Sequence, residues 1–207
     1  MNKEIIIKHL DRVYNDLTSD SNNFIIPLLF LNDYITAQDF LNLYEDMAAT
    51  KSQKRGYGIA VDASKYKVFD KLRAKFPALR DTFYILRTNK ILSKYPIHID
   101  SPSSFDSKAS INWPLINCDE RTETVYYKVD KHDFYNYDRN QDSIFLKDNV
   151  SVTPIFKYQF INPQAHLFRN DVWHTGINNT NEKKWRIMVK WELIVDNWQA
   201  ARDIFNV

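Results

Sequence analysis

With 207 residues, 44% of them hydrophobic and 26% charged, the chain is long enough for one sizeable core and has the composition of a soluble globular protein. A formal net charge of +2 without a clustered basic patch argues against a nucleic-acid or membrane surface. A lone cysteine, Cys118, excludes internal disulfides and argues against a cysteine-based zinc site, and the short apolar runs resemble neither a signal peptide nor a spanning helix. A reducing, cytoplasmic setting is expected.

In chain order, residues 3 to 17 place Ile6, Leu10, Val13 and Leu17 on one helical face. Phe24 to Leu31 reads as a buried strand broken by Pro27, or as the approach to the next helix. That helix follows Thr36, runs through Phe40, Leu43, Tyr44 and Met47, and starts with a loose capping box between Thr36 and Asp39. Lys51 to Gly58 is a charged loop, and Ser64 to Phe76 reads as a further helix stopped by Pro77. The first 80 residues are thus expected to be mostly helical, a layer over a sheet with no chemistry of its own.

From Thr82 the pattern changes. TFYILRTN, PIHIDS, ASINWPLIN, ETVYYKV, SIFLKD, SVTPIFKYQF, QAHLFRN, VWHTGIN and WRIMVKWELI are short runs rich in branched and aromatic residues, separated by turn-forming Asn, Asp, Ser and Pro. Such spacing predicts a β-sandwich or barrel, and a jelly roll fits best. DNWQAARDIF reads as a closing helix over 196–205 with Asp196 as its cap. With no repeat or linker in view, one domain over 1–207 is expected, its jelly-roll core spanning 82–193.

The chemistry centres on PIHIDS. In a strand, residues two apart share a face, so His98 and Asp100 converge on one point. Two histidines and one carboxylate with open positions form the facial triad of non-haem Fe(II) oxygenases, and His174 in RNDVWHTG is the best third ligand. His166 is its competitor, while His9 and His132 show no partner at ligand spacing. Iron held this way carries a net charge of +1 and a chelating 2-oxoglutarate brings −2, so one further cation is needed. Arg186, at the start of WRIMVKWEL, can grip the far carboxylate through two parallel hydrogen bonds, provided that it and His174 lie on neighbouring antiparallel strands joined by NNTNEKK.

These residues resemble the Fe(II)/2-oxoglutarate-dependent dioxygenases, and ASINWPL is similar to their aspartyl/asparaginyl β-hydroxylase-like branch. The resemblance covers roughly residues 82 to 193. It implies a mainly β fold with N-terminal helices, a cupin-like double-stranded β-helix under a helical layer. It further implies Fe(II) on His98, Asp100 and His174, and 2-oxoglutarate held by Arg186. The implied reaction takes dioxygen, releases succinate and CO2, and hydroxylates a small molecule, an amino acid or a peptidyl side chain.

Around this centre several readings stay open. Lys190 shares strand parity with Arg186 and either helps bind the carboxylate or snorkels at a barrel end. Asn112 either lines the pocket or is a buried structural amide. Tyr126 and Tyr127 face opposite ways, so one of them can offer a hydroxyl to the pocket. Trp113 and Trp173 are expected in the core. The polar stretch KVDKHDFYNYDRNQDS is a lid or a solvated loop. Arg87, Lys90 and Lys94 are either contacts for an acidic substrate or solvated surface charges. Alternatives to the oxygenase are a catalytically inactive jelly-roll binding protein and a metal-dependent cupin-like isomerase or hydrolase. Ligation needs neutral imidazoles, so iron affinity is expected to fall below about pH 6.

Overall fold

The computed structural model describes residues 3–17, 23–49, 58–88, 93–100, 108–136, 143–159, 164–179 and 186–207. The helices are α1 (Lys3–Asn15), α2 (Ala37–Ala49), α3 (Asp70–Lys75) and α4 (Trp198–Phe205). The first strands are β1 (Ile25–Pro27), β2 (Gly58–Asp62), β3 (Thr82–Thr88), β4 (Ser93–Lys94) and β5 (His98–Ile99). They are followed by β6 (Ala109–Ile116), β7 (Thr122–Val129), β8 (Phe134–Asn136), β9 (Ile144–Leu146) and β10 (Val152–Gln159). The last three are β11 (His166–Arg169), β12 (His174–Asn178) and β13 (Arg186–Leu193).

These strands form two antiparallel sheets, a six-stranded one ordered β1-β11-β6-β13-β3-β2 and a seven-stranded one ordered β10-β7-β12-β5-β9-β8, with β4 alongside β12. Within them β11-β6-β13-β3 faces β10-β7-β12-β5, the strand order of a jelly roll, as the sequence pattern predicts.

Alternation along β13 assigns the two faces of the first sheet. Ile187, Val189, Trp191 and Leu193 point outward into the main core, with Trp113 and Phe83 from neighbouring strands and Phe40 and Phe69 from the helical side. The rings interlock, with centroids 5.0 Å apart for Phe40 and Trp113 and 5.4 Å for Phe69 and Trp191. Arg186, Met188, Lys190 and Glu192 therefore face the second sheet. The second sheet's outer face is covered by α1, whose Ile6 and Leu10 pack with Ile99, Val125, Tyr127 and Trp173.

Pro114 sits within β6, where it has no N–H to donate, and the register with β13 shifts between Ile187 and Met188, the residue opposite it. Pro154 is accommodated on β10, the edge strand of its sheet, again beside a register shift.

The N-terminal region is less helical than the sequence suggests. Phe24 to Leu31 divides into β1, which adds to the edge of the first sheet beside β11, and a 3-10 turn over Leu29–Asp33. β2 was not anticipated; it extends the opposite edge beside β3. Ser64 to Phe76 is a pair of 3-10 turns, Ala63–Lys65 and Lys67–Phe69, leading into the short α3. The Asp62 side chain starts the first of these turns by accepting from the Ser64 N–H. The Thr36 and Asp39 capping box is present in both directions, at 2.8 and 3.3 Å. The α4 cap is Asn197 and not Asp196: its side chain accepts from the Ala200 N–H at 2.8 Å. Among the described residues no helix is long and apolar enough to cross a membrane.

Candidate metal centre

β5 is only two residues long, yet its register does the positioning. His98 is the direct antiparallel partner of His174, which on its other side pairs with Tyr126. Cross-strand partners on one face bring their side chains close together, and the two imidazole centroids lie 4.4 Å apart. Asp100 lies just past the strand end, anchored through its backbone N–H to the Asn170 carbonyl at 3.3 Å. Its two carboxylate oxygens reach the two rings separately: Oδ1 is 3.4 Å from His98 Nε2 and Oδ2 is 3.4 Å from His174 Nε2. One ligand atom from each of the three lies within 4.8 Å of the others.

The tautomers follow from the outer contacts. His98 Nδ1 is 2.9 Å from the Pro96 carbonyl and His174 Nδ1 is 2.8 Å from the Val172 carbonyl. A carbonyl only accepts, so each Nδ1 carries the proton and each Nε2 turns a lone pair toward the carboxylate. Three electron-rich atoms converge, an arrangement that favours a cation among them. Metal bonds of about 2.1 Å at right angles place neighbouring ligand atoms about 3 Å apart; each imidazole stands 3.4 Å from one carboxylate oxygen, so a bound ion needs a small inward shift of the three side chains. The chemistry of this donor set fits a divalent iron. Burial, then the nearby His98, pushes His174 below its ordinary value, which keeps the ring neutral and able to ligate.

Lys190 comes from the opposite sheet, and does not snorkel at a barrel end. Its Nζ lies 3.1 Å from Asp100 Oδ2 and 3.1 Å from Glu192 Oε1, and Glu192 Oε2 is 3.3 Å from Arg80 Nε. A line of alternating charge thus runs from Arg80, at the outside, to the triad. Burial would raise the Asp100 carboxyl, but the Lys190 ammonium beside it holds it well below the usual carboxylate range. Burial alone would lower Lys190; Asp100 and then Glu192 outweigh it and raise it.

Arg186 is buried, and the two strands proposed to carry it and His174 side by side are not neighbours. β12 belongs to the second sheet, whereas β13 pairs with β3 and β6 in the first. Arg186 instead reaches β12 across the interior: a Cβ on Gly176, two residues beyond His174, would lie 3.4 Å from Arg186 Nη1. The guanidinium lies next to the space that a larger side chain at 176 would take.

Asn112 is buried and faces the interior, opposite Lys190 on one side and His166 on the other. It shares the Ser110 hydroxyl with Asn170, at 3.0 and 3.1 Å. Tyr126 lies behind the triad, its ring 5.5 Å from that of His174, but its hydroxyl faces the Arg169 and Phe24 carbonyls at 3.0 and 3.3 Å. Tyr127 packs on the outer face under α1. His166, the competing ligand, is on β11 in the other sheet, fully buried, with Nε2 2.8 Å from the Tyr158 hydroxyl. His9 lies 3.7 Å from Asp171, and His132 Nδ1 accepts from the Trp173 indole at 3.0 Å.

Of the polar stretch 128–143, residues 137–142 lie outside the described residues. The rest includes β8, with Phe134 buried near Trp173 and Asp133 paired to Lys3 and Lys147 at 3.1 and 3.0 Å. Lys90 and the Lys94 side chain also lie outside the described residues, as does the segment 180–185; Arg87 is on β3. Glu192 and Gly176 were not singled out from the sequence. Glu192 shares the parity of Arg186 and Lys190, and Gly176 shares that of His174, which was the available signal.

No family model and no curated protein matches the chain. Among solved structures the fold is shared with the epimerase SnoN in complex with Fe3+, alpha ketoglutarate and nogalamycin RO. The alignment covers 91% of this chain and 84% of SnoN at 12% identity, with a TM-score of 0.53. A second structure of SnoN, described as a non-heme alpha ketoglutarate dependent epimerase from nogalamycin biosynthesis, aligns over the same shares at 12% identity with a TM-score of 0.50. A Pseudomonas putida prolyl-4-hydroxylase aligns over 92% of this chain and 98% of its own at 9% identity, with a TM-score of 0.49. At these identities the likeness is one of fold.

Proposed function

We propose that the chain is a non-haem Fe(II)/2-oxoglutarate-dependent oxygenase that hydroxylates an amino acid or a peptidyl side chain, with release of succinate and CO2. The observation that carries this reading is the pair of tautomer-fixed imidazoles whose Nε2 atoms converge on Asp100. In this reading His98, Asp100 and His174 hold the metal from one side, and the Nδ1 protons on Pro96 and Val172 keep both rings turned inward. When bound, the iron and its cosubstrate would supply the activation of dioxygen and the oxidising power for the C–H bond. Arg186, beside Gly176, binds the distal carboxylate of 2-oxoglutarate, and Lys190 balances charge near the Asp100 end. Asn112, beside Lys190, and the Tyr126 ring, beside His174, face the interior between the sheets.

The test is anaerobic addition of Fe(II) and 2-oxoglutarate to the purified chain, read by the visible metal-to-ligand charge-transfer band. The band is expected in the unaltered protein, lost in His174→Ala and weakened in Arg186→Ala. Under air, succinate release separates an oxygenase from an isomerase or hydrolase on the same ligands. An iron-loaded protein with no band counts against the reading.

A further inference from the structure

α1 covers the outer face of the second sheet, and two of its polar side chains, His9 and Tyr14, reach Asp171 and Trp173, just before His174. Between β7 and β12 the ladder runs regularly from Asn178 opposite Thr122 to His174 opposite Tyr126. One residue further, Tyr127 N–H still donates to the Trp173 carbonyl at 2.8 Å, but the reciprocal bond is not direct. The Tyr14 hydroxyl stands in the gap: it accepts from the Trp173 N–H at 3.0 Å and donates to the Tyr127 carbonyl at 2.7 Å. One side chain thus satisfies a donor and an acceptor that would otherwise be stranded as the strands separate. Burial, first among its surroundings, raises the Tyr14 phenol above its ordinary value, so the hydroxyl keeps the proton that it donates.

The same helix reaches the neighbouring positions. The Trp173 indole donates to His132, whose other nitrogen lies 3.5 Å from Asp11, and the His132 ring stacks edge-on to Tyr14 at 5.2 Å. Asp171 is held by Arg169 at 2.7 Å and faces His9 at 3.7 Å. Between these two fixed residues lies Val172, whose carbonyl takes the Nδ1 proton of His174. The carbonyl that decides which nitrogen of His174 faces the triad therefore lies between Asp171, held by Arg169 with His9 of α1 nearby, and Trp173, whose N–H donates to Tyr14 of α1.

We propose that Tyr14 is a positioning residue for His174, and that metal loading and the docking of α1 are coupled through the Tyr14 bridge between β7 and β12. The inference rests on the reading of His98, Asp100 and His174 as metal ligands. Coupling is reciprocal: if the bridge presets His174 for a metal, the bound metal holds the bridge closed. The helical layer then takes part in the chemistry of the site, though it touches no reactant.

The test uses the full chain and Mn(II) or Co(II) alone. In the unaltered protein, Mn(II) is expected to slow amide hydrogen exchange at Trp173 and along α1. Tyr14→Phe is expected to weaken Mn(II) binding about tenfold, the usual scale for an outer partner of a ligand, and to change the Co(II) visible spectrum. Lys3→Ala, which removes the contact of the same helix with Asp133 and leaves Trp173 and the three ligands alone, is expected to keep the Co(II) spectrum of the unaltered chain. Tyr14→Phe with unaltered affinity and spectrum overturns the proposal, as does exchange at Trp173 that ignores the metal, a measurement needing no variant. An unaltered chain that binds no metal overturns the ligand reading as well; binding that is lost in His174→Ala upholds that reading whatever Tyr14 does.

Discussion

Lys190 carries its ammonium to within 3.1 Å of Asp100 Oδ2 from the sheet opposite the one that presents the carboxylate. The contact holds Asp100 ionised and also sets a positive charge beside the position proposed for a divalent cation. Lys190→Met is therefore expected to tighten Mn(II) binding by about tenfold, the scale of one partly screened like-charge contact, while weakening the binding of 2-oxoglutarate. Calorimetric titration of each ligand alone separates the two effects. Weaker Mn(II) binding in the variant would mean that Lys190 serves chiefly to hold Asp100 in place.

The close approach of Arg186 to Gly176 predicts a graded series. Gly176→Ala adds a Cβ at 3.4 Å from the guanidinium, ordinary contact with the end of a flexible side chain, and is expected to be tolerated. Gly176→Val needs more room and is expected to displace the guanidinium, raising the KM for 2-oxoglutarate toward that of Arg186→Gln. Loss of a bidentate charged pair corresponds to roughly ten- to a hundredfold. Steady-state kinetics at saturating iron reads it, and Gly176→Val with an unchanged KM would place the carboxylate elsewhere.

His166 gives the fold an acid-sensitive point away from the triad. Burial pushes its pKa down from 6.5 to about 4, with only partial relief from the Gln164 backbone. Between these values the unfolded chain takes up a proton that the folded chain refuses, so stability falls as pH drops from 6.5 toward 4. The full difference is about 3 kcal/mol. His174 and His132, also lowered first by burial, act in the same direction. Urea midpoints measured across this range are expected to fall more gently in His166→Gln; an unchanged slope would assign the loss to the other histidines.

Phe69 is fully buried at the end of the second 3-10 turn, its ring 5.0 Å from Phe83 and 5.4 Å from both Phe40 and Trp191. Phe69→Ala is expected to destabilise the fold by about 3–5 kcal/mol through lost burial and the cavity left behind. A denaturant midpoint close to that of the unaltered chain would show that the aromatic cluster closes over the gap.

Strand periodicity made the jelly roll legible because each strand buries its two faces against different partners. β6, β10 and β13 fall within the runs of branched and aromatic residues read from the sequence, and β7 starts one residue before its run, at Thr122. His98 and Asp100 were legible as neighbours on one short segment, and His174 as their completion. The sheet membership of β13 was not, because a connection alone does not tell a hairpin from a crossing between sheets. β2 escaped notice beside the charged stretch before it, since GIAVD is short and its burial is decided by the edge it joins. The Ser64 to Phe76 stretch has helical spacing, but the Asp62 side chain engages the Ser64 N–H and favours tight turns at its start. The capping residue at α4 differed by one position because both Asp196 and Asn197 satisfy the local preference.

The triad stands on the sheet of β5 and β12, while Arg186 and Lys190 both project from β13 in the sheet facing it. A molecule that must chelate on one side and be gripped by a cation on the other is gauged by the separation of the two layers. On the proposed function, packing that is remote from every reactant, in the aromatic core behind β13 or under α1, would then set which length of dicarboxylate fits between the two layers.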